Sequence, residues 1–310
     1  LLAASGYMET NISQPPFNPD SRPAMLKKIR IMLEMIKFEH TIFALPFALM
    51  GAFLAGRGVP GAATFGWVVL AMFGARTAAM GFNRIVDRGF DAANPRTADR
   101  ALVTRTVRLR EAWAMVLLAT LLFFFACTRL NHLTLLLAPV ALGLTFFYSL
   151  TKRFTWLCHL VLGLALAFAP LGGFVAVQGS LAGFPRVLSL GVVFWVAGFD
   201  TMYACQDADF DQRTGLFSMP ARFGRQGAFR LAIFFHLLAF ALFLATGVHE
   251  HLHPIFFAGI AWTGVALFYQ HLVVNPKNLA RIELSFFTMN GLISIILFVS
   301  AWLALVLEAV

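Results

Sequence analysis

Apolar residues run through this chain in blocks of about 20, separated by shorter polar links. The blocks lie at about 31–56, 61–83, 111–128, 132–150, 156–178, 187–204, 227–247, 254–273 and 284–307. Twenty residues of α-helix rise about 30 Å, the thickness of the hydrocarbon layer of a bilayer, so each block predicts a transmembrane helix. Stretches such as LALAFAPLGGFVAV show none of the polar/apolar alternation of barrel strands. The predicted fold class is therefore all-α, a polytopic membrane protein with nine transmembrane helices. Some short links carry turn chemistry, as in Gly56-Arg57-Gly58-Val59-Pro60. Two links, 84–110 and 205–226, are long and rich in charge.

Composition removes the soluble alternatives. Of 310 residues, 59% are hydrophobic and 13% charged, with 34 Phe, and mean hydropathy is +0.77. A soluble domain carries about one quarter charged residues and could not cover its surface with so few. The net charge of +9 would suggest nucleic acid in a soluble protein; in a membrane protein it is read by position. On nine spans, 20 of the 24 Lys and Arg fall on one side. Only Arg57, Arg129 and Arg186 fall on the other, and Arg76 lies inside a span. This asymmetry predicts a cytoplasmic N-terminus and an external C-terminus, and an even number of spans would scramble it. Cys127, Cys158 and Cys205 stand at no ligand-like spacing, so neither a disulfide framework nor a zinc site is expected. Residues 1–24 read as a disordered or expression-derived segment without a signal peptide, Met8 or Met25 being the natural start; residues 25–310 read as one transmembrane domain.

Acidic residues are scarce, 15 in all, and concentrate at the cytosolic ends of the second and sixth spans. In GFNRIVDRGFDAANPRTADR, the residues Asn83, Asp87 and Asp91 are spaced four apart. Each such step turns about 40° around a helix, so their oxygens form one stripe if the helix runs on to about Asn94-Pro95. In GFDTMYACQDADFDQRTG, Asp207 and Asp211 repeat the spacing, and Asp200 lies seven residues earlier on nearly the same face. Two carboxylate pairs at matching depth predict a pocket for Mg²⁺, a hard cation that binds through one or two carboxylates plus substrate phosphates. Asp209 falls off the stripe and reads as a solvated acid.

Cations suited to phosphate surround the acids. Lys152 and Arg153 follow the fourth span in FFYSLTKRFTW, which also carries Tyr148 as a candidate substrate contact. Arg76 sits within an apolar span, where an arginine costs at least about 2.5 kcal/mol, two turns deeper than Asn83 on the same face. The expected shape is a water-accessible cavity roofed by charges and walled below by apolar and aromatic residues. It suits a diphosphate head on a long hydrocarbon tail. Metal and cations would draw charge onto a departing diphosphate, and an electron-rich ring would capture the allylic cation.

These residues resemble the UbiA superfamily of intramembrane aromatic prenyltransferases. That family carries N-x-x-x-D-x-x-x-D after its second helix and D-x-x-x-D after its sixth, here Asn83/Asp87/Asp91 and Asp207/Asp211. DTMYACQDADFDQRTGLFSMPARFG and YSLTKRFTW are similar to family text, and Arg76 matches an Arg common seven residues before the motif Asn. The likeness covers essentially all of residues 25–310. It implies a nine-helix bundle around one cavity, open to the cytosolic side and laterally to lipid. It further implies Mg²⁺-dependent transfer of a polyprenyl group from its diphosphate to an aromatic acid, in quinone synthesis in a bacterial inner membrane. By the same resemblance, Asn83, Asp87, Asp91, Asp207 and Asp211 hold the magnesium–diphosphate complex. Lys152 and Arg153 touch phosphate or acceptor, Asp200 and Tyr203 line the site, and Arg76 faces the acceptor. The chain departs from the family at Arg84, where Asp often follows the motif Asn, and at Arg105, where Gly is common. The first block resembles a 4-hydroxybenzoate polyprenyltransferase-like subgroup linked to a naphthoate acceptor, so 4-hydroxybenzoate, a naphthoate and the haem- or chlorophyll-type acceptors stay open.

Lys37, Glu39 and His40 at the entry of the first span read as interfacial residues or as part of the acceptor pocket. His249-Glu250-His251 with His253 reads as a hydrated external turn. A transporter is the alternative of a different class, but transporters place ionisable residues near the midplane on inverted repeats, whereas here the two motifs recur in one orientation. No nucleic-acid partner is expected, and an oligomeric partner is left open.

Overall fold

The computed structural model describes residues 25–308; the segment 1–24 set apart above lies outside that range. The structure is 80% helical, and among the described residues no strand forms. The helices are α1 (Met25–Met35), α2 (Leu45–Gly56), α3 (Ala62–Val86), α4 (Arg88–Ala93), α5 (Leu109–Thr128), α6 (His132–Thr151), α7 (Cys158–Gln178), α8 (Arg186–Ala204), α9 (Ala208–Thr214), α10 (Met219–His249), α11 (Ile255–Val273) and α12 (Asn290–Glu308). Eight of the described helical segments are long and apolar enough to cross a membrane: α3, α5, α6, α7, α8 continued to Thr214, α10, α11, and α12 with the turn before it from Leu284.

The first predicted span, 31–56, is not one helix. Lys37 adopts a left-handed conformation (φ 51°) after α1, a 3₁₀ turn covers Phe38–Phe43, and Pro46 opens α2. Proline lacks the amide that would continue a preceding helix but suits a first turn. The 12-residue α2 rises about 18 Å, short of the hydrocarbon thickness on its own. α1 is amphipathic: Met35 and Ile36 are buried against Leu102, Val107 and Ala112, while Arg30 and Glu34 face outward. It caps the bundle at the end of the long link 94–108, pinned by Lys28 Nζ to Glu111 Oε1 at 2.6 Å.

Packing divides the bundle into two connected parts. α2 runs along α7, α7 along α8 and α8 along α10, with α11 and α12 closing back onto α2. Phe47, Trp195, Phe243 and Phe256 fill that core. α3, α5 and α6 form the second part, buried around Ala78, Ala119, Phe123 and Ala126. Small residues set the closest crossings, as expected where lipid supplies no hydrophobic drive between helices. A Cβ on Gly173 would stand 1.8 Å from the Ala48 carbonyl oxygen, and one on Gly51 would stand 2.0 Å from that of Pro170, so α2 and α7 touch backbone to backbone. Large apolar side chains such as Leu118, Leu237, Val265 and Phe268 point outward, each about two-thirds exposed. A water-soluble protein would bury such a belt; lipid solvates it.

Candidate active site

The first acidic stripe survives a break in its helix. α3 ends at Val86, and Asp87 takes φ −88°, ψ 0°, yet its amide still reaches the Asn83 carbonyl at 3.0 Å. The Asp91 amide then reaches the Asp87 carbonyl at 2.8 Å, so α4 keeps the register of α3. Asn83 Nδ2 donates to Asp87 Oδ2 at 2.9 Å. On the other side, a 3₁₀ turn over Cys205–Asp207 joins α8 to α9, which stops where Gly215 turns left-handed (φ 71°). The next helix begins at once: Ser218 caps α10 by accepting from the Ala221 amide, and its hydroxyl donates to Asp211 Oδ2 at 2.7 Å. A helix start thus orients a buried carboxylate.

The two sides meet. Asn94, just beyond α4, donates from Nδ2 to Asp207 Oδ1 at 2.9 Å, and Arg96 grips the same carboxylate with Nε and Nη2 at 2.9 and 2.5 Å. Each of the four motif aspartates faces a cation: Arg153 lies 3.6 Å from Asp87, Arg100 2.6 Å from Asp91, and Lys152 3.5 Å from Asp211, with Arg96 on Asp207. All eight side chains line one cavity of about 770 Å³. Burial, then the neighbouring charge of Asp91, raises the Asp87 carboxyl above the usual carboxylate range; Lys152 and Arg153 only partly oppose this. Burial, the largest influence, would weaken the charge on Lys152, but Asp211 together with Cys158, Asp207 and Asp200 outweighs it and holds the ammonium above its ordinary value. For Arg96, burial is likewise outweighed by the hydrogen bonds and charge of Asp207, with Tyr203 and Glu283 adding to them.

Below the charges the cavity narrows onto Arg76, Asn83, Tyr148 and Ser149 and continues into an apolar chamber of about 180 Å³. Ala48, Val68, Ala75, Phe123, Ala138, Leu162 and Ala169 are among its walls, contributed by α2, α3, α5, α6 and α7. Arg76 donates from Nη2 to the Lys37 carbonyl at 3.3 Å, which ties the deep guanidinium to the turn before α2. Asp200 lines the lower cavity with Oδ2 2.6 Å from Nδ1 of the fully buried His159. Tyr203 Oη donates to Glu283 at 3.2 Å, with the Arg96 guanidinium 5.6 Å from its ring centroid. Lys37 lines the cavity mouth; the side chains of Glu39 and His40 lie outside the described residues.

Residues 44–292 match the UbiA prenyltransferase family. The chain belongs to that family. The match accords with 30% identity over 282 residues to the 4-hydroxybenzoate octaprenyltransferase of Aromatoleum aromaticum, covering 90% of this chain and 95% of the relative. Among solved structures, the apo UbiA homolog from Aeropyrum pernix K1 superposes with a TM-score of 0.76 at 35% identity, over 88% of this chain and 98% of that one. The Archaeoglobus fulgidus UbiA homolog bound to DMAPP and Mg²⁺ shares the fold, with a TM-score of 0.69 at 18% identity over 89% and 99% of the two chains. This UbiA-family chain is therefore an integral membrane prenyltransferase.

The family implies a divalent ion, and the donor set at the site suits one. Among the described residues no group of three or more His, Cys, Asp or Glu converges at metal-binding distance. An all-protein cage is not what Mg²⁺ needs: it is held through one or two carboxylates, with water and phosphate oxygens completing the shell. Asp87 and Asp91 beside Asn83, and Asp207 and Asp211 across the cavity, fit that requirement with oxygen donors alone.

Several residues at the site carry no signal along the sequence that points to it. Arg96 and Arg100 counted there only as topology determinants, and their link is not a helix, so no periodicity pointed them at the acids. Asn94 stands in the sequence only as the expected helix end. His159 and Ser218 reach the site through tertiary packing and carry no local signal. The two departures from family text now have places. Arg84 is buried, with Nε on the Met35 carbonyl at 3.1 Å and Nη1 3.4 Å from Asn83 Oδ1, so it joins α1 to the motif. Arg105 is left-handed (φ 60°), a conformation that favours glycine.

Proposed function

We propose that this UbiA-family enzyme transfers a polyprenyl group from its diphosphate to a small aromatic acid, 4-hydroxybenzoate or a related naphthoate, in ubiquinone or menaquinone synthesis. The observation that carries the reading is the meeting of two acidic pairs, from α3–α4 and α8–α9, over one cavity that continues into an apolar chamber. Homologues named 4-hydroxybenzoate octaprenyltransferase at about 30% identity support the acceptor class.

Asn83, Asp87, Asp91, Asp207 and Asp211 hold Mg²⁺ and, through it, the diphosphate. Bound there, Mg²⁺ supplies positive charge that lowers the cost of the diphosphate leaving group. Lys152 and Arg153 contact the phosphates, and Arg96 and Arg100 turn from their carboxylates toward them. The tail lies in the apolar chamber, which keeps water from the allylic cation. Tyr148 and Tyr203 flank the reacting end with their π faces, Asp200 lines the acceptor side, and Arg76 pairs with the acceptor carboxylate. The charged links lie in the cytoplasm of a bacterial cell, with the N-terminus on that side of the inner membrane and the C-terminus outside.

Purified protein in nanodiscs, given octaprenyl diphosphate and either 4-hydroxybenzoate or 1,4-dihydroxy-2-naphthoate, is expected to form prenylated product only with Mg²⁺. Asp87→Ala and Asp207→Ala are each expected to abolish turnover. Absence of product with both acids, or full activity in both variants, would overturn the assignment.

A further inference from the structure

Aromatic prenylation, the reaction proposed above and on which this inference rests, produces a proton that needs a destination. The C1–O bond breaks with its electron pair leaving on the diphosphate. Ring electrons form the new C–C bond, and the hydrogen on that ring carbon must then depart as a proton, its C–H pair restoring aromaticity. A base is required at the depth where C1 meets the ring, below the diphosphate.

The four motif aspartates are poorly suited, since each faces a cation near the cavity mouth. Asp200 differs. It lies seven residues before Asp207, about 10 Å deeper along the helix. It shares the lower cavity with Tyr148, Leu162 and Leu166, the last three also walls of the apolar chamber. One oxygen, Oδ2, meets His159 Nδ1 at 2.6 Å; the other has no hydrogen-bond partner among the described residues, and the side chain is 17% exposed, toward the cavity.

The imidazole has one available role. The Met219 amide at the start of α10 donates to His159 Nε2 at 3.3 Å, so that nitrogen carries the lone pair and the ring hydrogen sits on Nδ1. His159 therefore donates to Asp200, and the 2.6 Å separation is that of a charge-assisted bond. Fully buried, the ring cannot reach substrate itself. It holds one carboxylate oxygen and leaves the other facing the cavity.

We infer that Asp200 is the base that takes the ring proton from the aromatic acceptor, with His159 as its positioning residue. The proton passes from the ring carbon to the free oxygen of Asp200 and leaves through cavity water when product departs. The competing base is the departing diphosphate.

The test compares wild type with Asp200→Asn, which keeps the acceptor oxygen for His159 and the side-chain shape but removes the base. The substrates are 4-hydroxybenzoate, ring-deuterated or not, and a polyprenyl diphosphate that wild type turns over, labelled with ¹⁸O at the bridging position. Wild type is expected to show no isotope effect from the ring deuterium. Asp200→Asn is expected to lose about 10²–10⁴ in kcat and to acquire a primary isotope effect, while still scrambling the bridging ¹⁸O as proof that the C–O bond breaks. His159→Leu should behave in the same direction, and His159→Asn, whose amide Nδ2 offers a donor near the place of the histidine Nδ1, should recover turnover. Unchanged kcat in Asp200→Asn, a fall in kcat without an isotope effect, or loss of scrambling together with turnover would each overturn the inference. Absence of wild-type product would instead overturn the proposed function.

Discussion

Replacing Arg96 by methionine should tighten the binding of Mg²⁺ to the ligand-free chain. In the structure Asp207 accepts two hydrogen bonds from Arg96, at 2.9 and 2.5 Å, and one from Asn94 at 2.9 Å. A divalent ion approaching that carboxylate must first displace the guanidinium. Hydrogen bonds to charged groups contribute about 1.5–3 kcal/mol each. The Arg96 side chain is 32% exposed, and solvent screening brings the pair of bonds down to about 2 kcal/mol. Methionine preserves much of the aliphatic reach and removes the competitor, so the dissociation constant should fall about 30-fold. Calorimetric titration of MgCl₂ into the protein in nanodiscs, with and without pyrophosphate, reads this directly. With pyrophosphate present the gain should vanish or reverse, because the wild-type arginine then pairs with phosphate. An affinity for Mg²⁺ alone that the substitution leaves unchanged would refute the reasoning that this arginine occupies the ion's place.

Because burial and Asp91 raise the Asp87 carboxyl, Mg²⁺ affinity should be full at pH values above that raised pKa. On acidification it should begin to fall before an ordinary aspartate protonates; Asp87→Asn should remove that early limb from a pH series of Mg²⁺ titrations. Gly173→Ala places a methyl 1.8 Å from the Ala48 carbonyl oxygen and should cost about 1–3 kcal/mol through overpacking, read as a lowered thermal midpoint in detergent. Ala138→Phe fills the apolar chamber and should lower turnover of octaprenyl diphosphate about 10-fold or more, on a similar overpacking cost, while sparing a geranyl donor. Equal losses with both donors would place the tail elsewhere.

Much of this protein is legible along the chain because lipid imposes a length and a polarity on each crossing. Blocks of about 20 apolar residues had to be helices, and the rarity of acids made the two aspartate clusters stand out. The first block shows the limit of block length as a guide: it is apolar enough to cross, yet Lys37 and Pro46 break it into α1, a 3₁₀ turn and α2. The stripe of Asn83, Asp87 and Asp91 was likewise predicted on an unbroken helix, and its register holds because the Asp91 amide still finds the Asp87 carbonyl.

The helical class, the later eight crossings and the acidic spacing within each cluster are written along the chain, since these follow from local periodicity and from the cost of bare polar groups in hydrocarbon. Helix packing set which cation faces which aspartate. It also decided that Arg96 reaches Asp207 across 111 positions of chain, and that a helix start at Met219 selects the tautomer of a buried histidine. Such pairings depend on how rigid helices cross, and helix crossing is set by small residues and packed rings far from either partner in sequence.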